Sequence, residues 1–236
     1  MNGRILAIDT STEACSVALL QRGIVTARHE IAGREAARRV LPLVEAVMAE
    51  GGCGLADLDA LAAGIGPGGF TGVRLGIAVV QGLAFGAALP VVPVDSLETL
   101  AFAALSGAGR DEVVVACLDA RMGGIYWGCY QSDAGRGVRA VEGPALGKPA
   151  LVERHLRPRA LPAVGRGMRL MQAAGPWPAA CDANALPNAS DLVRLAALRL
   201  DQGGGIDPAD LVPLYLRDRV ALTESERRSD QPPAMD

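Results

Sequence analysis

GIGPGGFTGVRLG, residues 64–76, sets glycines at 64, 66, 68, 69, 72 and 76 and a proline at 67 between an apolar run and a helix-like run. Residues 58–63 before it are apolar enough for a buried strand, and residues 73–89 after it contain no proline. Pro67 fixes φ and lacks an N–H, whereas Gly66, Gly68 and Gly69 allow positive φ and close backbone approach. Thr71 and Gly72 stand where a helix N-cap is expected. The stretch reads as strand, tight loop and helix, with Gly66, Pro67, Gly68, Gly69, Thr71 and Gly72 as its structural loop.

Three uses of such a loop compete. Gly64, Gly66 and Gly69 satisfy the string G-x-G-x-x-G, but a dinucleotide site wants it after the first strand, with a ribose-binding acid about 20 residues on. Asp95 fits that role poorly. A Walker A loop needs Gly-Lys followed by Ser or Thr, and the one lysine of the chain is Lys148. The third use is architectural: a glycine turn lets a helix pack close to a sheet.

With 236 residues, half of them apolar, the chain can bury one large core or two small ones. Aromatics make up only 3%, so Leu, Val, Ile and Ala must fill the interior. The net charge of −3 gives no global basic field for nucleic acid, so any RNA contact is expected to be local or supplied by a partner. Cys15, Cys53, Cys117, Cys129 and Cys181 are odd in number, widely spaced and without a C-x-x-C pair. They are expected to be reduced thiols of a cytoplasmic protein. Asp9 interrupts the first apolar run, which is too short for a signal peptide. Residues 75–94 are long and uncharged, but Gln81, Gly82, Gly86, Pro90 and Pro93 make them a buried helix and a strand, not a membrane span.

Along the chain, residues 4–9, 15–20 and 24–30 read as a β-meander, followed by a helix over 34–50 that Pro42 should kink. After the glycine loop and its helix come a strand at 91–94 and a helix at 96–105. Residues 112–118 and 124–130 then open a second set of strands, so Asp9 and Asp119 hold like places at the ends of first strands. Two related halves follow, an α/β layout with mixed sheets. The expected boundaries are 1–106, 107–219 and a disordered tail over 220–236. Residues 135–187 carry no readable pattern, 190–200 form an amphipathic helix with Ser190 as N-cap, and 211–216 look extended.

Catalytic chemistry finds little support. A histidine metal site needs paired ligands, and His29 and His155 are far apart without ligand-like neighbours, so both are expected on the surface. No G-x-S-x-G is present. The first hairpin, DTSTEAC over residues 9–15, has no glycine to bring amides to a phosphate. Asp9 either orients a metal-bound water or simply ends a strand and accepts backbone N–H bonds, and the second reading is favoured. On the helix after the loop, Ala78, Gly82 and Gly86 repeat every four residues and make a smooth stripe for another helix.

Several segments together resemble the TsaB (YeaZ) family: ILAIDTSTEACSVALL, REAARRVLPLVEAV, GPGGFTGVRLGIAVVQGLAFG, DARMGGIYWGCY and LVPLYLRD. The match runs in family order over most of residues 4–219. The resemblance implies an actin, Hsp70 and sugar-kinase type of fold in two related halves. It also implies a non-catalytic paralogue of TsaD that works with TsaD and the ATP-using TsaE. That complex moves a threonylcarbamoyl group from its adenylate to N6 of the adenosine 3′ of the anticodon, in tRNAs reading codons that begin with A. No cofactor is implied for this chain alone; ATP and metal are expected on the partner subunits, and tRNA contact through the complex. Carried onto this sequence, the TsaD interface falls on helices 34–50 and 73–89, through Val40, Leu43 and Val47 and through Ala78, Gly82 and Gly86. The chain departs from the family at Ala36, where many relatives have histidine, and at Gly69, where they have serine. A glycoprotease-like hydrolase or small-molecule kinase of the same fold is the alternative, and a homodimer through the same apolar helix face is a third reading.

Overall fold

The computed structural model describes residues 3–107, 109, 111–171 and 175–217. Its first half runs β1 (Ile5–Asp9), β2 (Ala14–Gln21), β3 (Ile24–Ile31), α1 (Ala36–Gly51), β4 (Ala60–Gly64), α2 (Phe70–Ala87), β5 (Val91–Val94) and α3 (Ser96–Ala104). The second half runs β6 (Val113–Arg121), β7 (Gly124–Asp133), β8 (Gly137–Gly147), α4 (Pro149–Leu156), β9 (Ala163–Val164), β10 (Cys181–Asp182) and α5 (Ala189–Leu200).

The two sheets repeat one topology. The first has the order β3-β2-β1-β4-β5 and the second β8-β7-β6-β9-β10. In each, the opening three strands are antiparallel and the last two lie parallel to the first. The two related halves expected from the strand openings are therefore present, and the mixed-sheet α/β class holds. Where the first half carries the long α2 after its fourth strand, the described residues of the second have a short 3-10 turn, Arg166–Leu170.

Side-chain alternation along the strands explains the layering. Ile5 and Ala7 of β1 face a central core shared by both sheets, together with Leu97 and Leu100 of α3 and Leu192 and Leu195 of α5. Leu6 and Ile8 face outward and are covered by α1 and α2. On the far side of the second sheet, Val115, Cys117 and Cys129 pack against Leu156 of α4 and against Met168 and Trp177. Helices and sheets thus alternate in five layers. The middle helices are exchanged between halves: α3 packs on β6, β7 and β8, and α5 packs on β1, β2 and β5.

Several boundaries differ from the sequence reading. A 3-10 turn, Gly33–Glu35, precedes α1, which then runs unbroken through Pro42. Pro42 is exposed, so the carbonyl it leaves without an intrahelical donor can turn to water. Asn188, not Ser190, caps α5, its Oδ1 accepting the Ser190 N–H at 2.9 Å. The stretch 135–187 contains β8, α4, β9 and β10. The expected disordered tail, 220–236, lies outside the described residues.

Candidate functional site

The glycine loop is built against the β1–β2 hairpin. Asp9 Oδ1 accepts from the Ser11 N–H and the Ser11 hydroxyl, both at 2.7 Å. The Gly69 N–H donates to the Ser11 carbonyl at 2.7 Å, and the Thr10 hydroxyl donates to the Gly72 carbonyl at 2.7 Å. Every fourth residue of the loop and helix start must then lack a side chain. A Cβ on Gly68 would lie 2.2 Å from the Ser11 carbonyl oxygen, one on Gly72 2.1 Å from that of Thr10, and one on Gly76 2.7 Å from the Thr10 hydroxyl. Gly64 is held in the same way by the Asp9 carboxylate.

This corrects two details of the sequence reading. Of Gly66, Gly68 and Gly69, only Gly66 uses positive φ, at +92°; Gly68 is there for close approach, whereas a Cβ on Gly69 would meet the Ser11 carbonyl oxygen at an ordinary 3.7 Å. The helix starts at Phe70 with Gly69 as N-cap, so Thr71 and Gly72 already lie inside its first turn. Ser96 ties the next helix to the same knot, its hydroxyl donating to Ser11 Oγ at 3.0 Å and its N–H to the Gly66 carbonyl at 2.8 Å.

Asp9 therefore acts as a strand-ending Asx turn. Burial pushes its carboxyl up from the ordinary range, against the lowering effect of the Ser11 bonds. Asp119 makes the same turn in the second half, its Oδ1 accepting the Arg121 N–H at 2.7 Å. Between these two turns opens a cleft of about 620 Å³, lined from one side by Thr10–Glu13, Arg34, Gly69 and Thr71 and from the other by Asp119, Arg121, Arg166 and Arg169. Arg166 and Glu13 form an ion pair across it. A smaller apolar recess of about 170 Å³ adjoins, sharing Gly68, Gly69 and Arg121 with the cleft.

A second surface lies on the opposite side of α1 and α2 from the first sheet. Ala78, Gly82 and Gly86 are exposed on α2, and nothing lies within 4 Å of a Cβ placed on Gly82 or Gly86. Val40, Leu43 and Val47 are not on this surface. They are at most 4% exposed and cover the first sheet, because the 3-4 spacing of α1 turns them to the core. The large exposed apolar residue of α1 is Leu41, and α2 adds Phe85 at 60% exposure.

A family model described as TsaD, tRNA N6-adenosine threonylcarbamoyltransferase, matches residues 21–163. The tRNA threonylcarbamoyladenosine biosynthesis protein TsaB of Escherichia coli K12 is 40% identical over 230 residues, covering 92% of this chain and 96% of that protein. The chain belongs to the TsaB family. The Haemophilus influenzae TsaB is 39% identical, covering 93% of this chain and 95% of its own length. The structure of YeaZ from Pseudomonas aeruginosa, 41% identical, superposes with a TM-score of 0.81 over 91% of this chain and all of that one.

This TsaB-family chain is thus a member of a tRNA threonylcarbamoyladenosine biosynthesis family, with the two-sheet fold expected of it. Both histidines are exposed: His29 lies on β3, and His155 on α4 pairs with Glu142 at 2.6 Å. Among the described residues, no three His, Cys, Asp or Glu side chains gather as a metal group. Among the described residues one helix, α2, is long and apolar enough by length and composition to cross a membrane. Here its Val73, Ile77, Val80 and Ala84 lie in the core under the first sheet. Leu41 and Phe85 add to the residues expected on this surface from the sequence. Leu41 is the apolar residue of α1 that falls off its core stripe, and Phe85 is one of just three phenylalanines; both signals stand in the sequence.

Proposed function

We propose that this chain is a non-catalytic subunit that binds TsaD through the outer faces of α1 and α2 and, with TsaE, supports transfer of the threonylcarbamoyl group. In this reading the acceptor is N6 of the adenosine 3′ of the anticodon, in tRNAs reading codons that begin with A. ATP and metal belong to the partner subunits, and the complex works in the cytoplasm. The observation that carries the reading is the exposed α2 face of Ala78, Gly82, Phe85 and Gly86, with open space over both glycines. Exposed glycines in mid-helix each cost about 1 kcal/mol against alanine, so a function must offset them. Close approach of a partner helix is the function that removing a side chain serves. Without TsaD the same face is expected to self-associate.

Reconstitution of tRNA modification from TsaD, TsaE and the adenylate-forming enzyme, with and without this chain, tests the reading. Activity should depend on the chain, and indifference to its presence would sink the proposal. Turnover of a peptide or a small-molecule phosphoryl acceptor by the purified chain would favour the hydrolase or kinase alternative. The variant Gly82→Leu is expected to weaken TsaD binding at least tenfold in a titration. Its melting temperature should be unchanged or slightly raised, since leucine is the better helix former and has open space.

A further inference from the structure

The cleft between the halves and its apolar neighbour differ in chemistry and meet at Gly68, Gly69 and Arg121. Around them, Arg34 has no partner among the described residues, and Arg169 bonds only neutral groups, the Ala183 carbonyl and the Asn184 side chain. Arg217 bonds the carbonyls of Ala120 and Arg121, and Arg74 the Tyr215 hydroxyl. Among the described residues these four guanidinium groups have no carboxylate partner; Arg34, Arg169 and Arg217 line the two recesses and Arg74 stands over Phe70 beside them, in a chain whose net charge is −3.

Beside them stands an ordered aromatic platform. The Arg74 guanidinium lies 3.5 Å from the Phe70 ring centroid and 5.6 Å from that of Tyr215, while the two rings are 6.4 Å apart. Phe70 and Tyr215 are about half exposed despite this stacking, in a chain with few aromatics. Arginines with no carboxylate partner among the described residues, next to two exposed rings tilted 30° to each other, are the combination that holds phosphates and bases together.

We propose that this face binds single-stranded RNA directly, with Arg34, Arg169 and Arg217 on phosphates and the Phe70–Tyr215 platform under a base. A free phosphate would use the basic cleft alone. The proposal goes beyond the subunit reading, in which tRNA is held through the complex, and does not depend on it.

Fluorescence anisotropy of the isolated chain with a labelled single-stranded RNA of about ten nucleotides tests it. Affinity should fall with salt, with a log–log slope of about −2 for three phosphate contacts. Arg34→Ala and Arg169→Ala should each reduce that slope by about 0.7, and Arg34→Lys should restore it. Phe70→Ala should weaken binding about tenfold and leave the slope unchanged. All three positions are exposed, so melting temperatures should match the parent. Absence of RNA binding, slopes that ignore these variants, or equal binding of AMP, inorganic phosphate or polyglutamate would overturn the proposal. TsaD titration with Arg169→Ala separates the two readings, because this residue lies off the α1 and α2 face.

Discussion

Gly72→Ala should destabilise the chain by about 2 kcal/mol, although alanine is the better helix former. The propensity gain is about 1 kcal/mol. Against it stands a Cβ 2.1 Å from the Thr10 carbonyl oxygen, a backbone atom held by β1, β2 and the Gly69–Ser11 hydrogen bond. Forced overpacking of this kind costs about 3 kcal/mol. Gly82→Ala and Gly86→Ala, on the same helix but in open space, should instead stabilise by about 1 kcal/mol each. Urea unfolding of the three variants measures the contrast. Equal effects at all three positions would mean that the hairpin and α2 slide freely past one another.

The other large effect concerns pH. Asp95 caps α3, its Oδ1 accepting from the Leu97 N–H at 2.6 Å, and burial pushes its carboxyl up to about 7. The neighbouring Glu98 charge raises it further, while the Leu97 and Glu98 amides oppose the shift. The folded chain therefore keeps a proton that the unfolded chain releases near pH 4. Stability is highest below that point and falls as pH rises towards 7, by a sum on the order of 4 kcal/mol. Asp9, raised by burial as well, acts with the same sign. Asp95→Asn retains an oxygen for the Leu97 N–H and never ionises. It should flatten most of this slope between pH 4 and 8 and leave the variant more stable than the parent at pH 8. A variant whose unfolding free energy follows the parent at every pH would disprove the assignment.

The sequence was most legible where one physical signal acts alone. The short apolar runs in residues 4–9 and 15–20, buried on both faces, set the first two strands, and the glycine loop set the passage from β4 to α2. Reading was poorest over 135–187, where β9 and β10 are two residues each and α4 starts at Pro149 behind Lys148, which supplies no capping side chain. Strands that short have no period to detect, and their pairing comes from contacts distant in sequence. The cleft was invisible for the same reason: Arg34, Arg121 and Arg169 converge only when both sheets are in place. Val40, Leu43 and Val47 were assigned outward by resemblance, whereas the spacing of α1 by itself placed them inward.

The exchange of middle helices bears on how the chain is made. The inner face of the first sheet, Ile5, Ala7, Ala18, Leu20, Val92 and Val94, is complete as soon as β5 leaves the ribosome, but its cover, α5, begins at Ala189. Residues 95–188 must be translated in between. At about 5–20 residues per second this leaves a bare apolar sheet exposed for on the order of 5 to 20 seconds. The nascent chain is then a natural client for chaperones, and a product that stops before residue 189 would never leave that state.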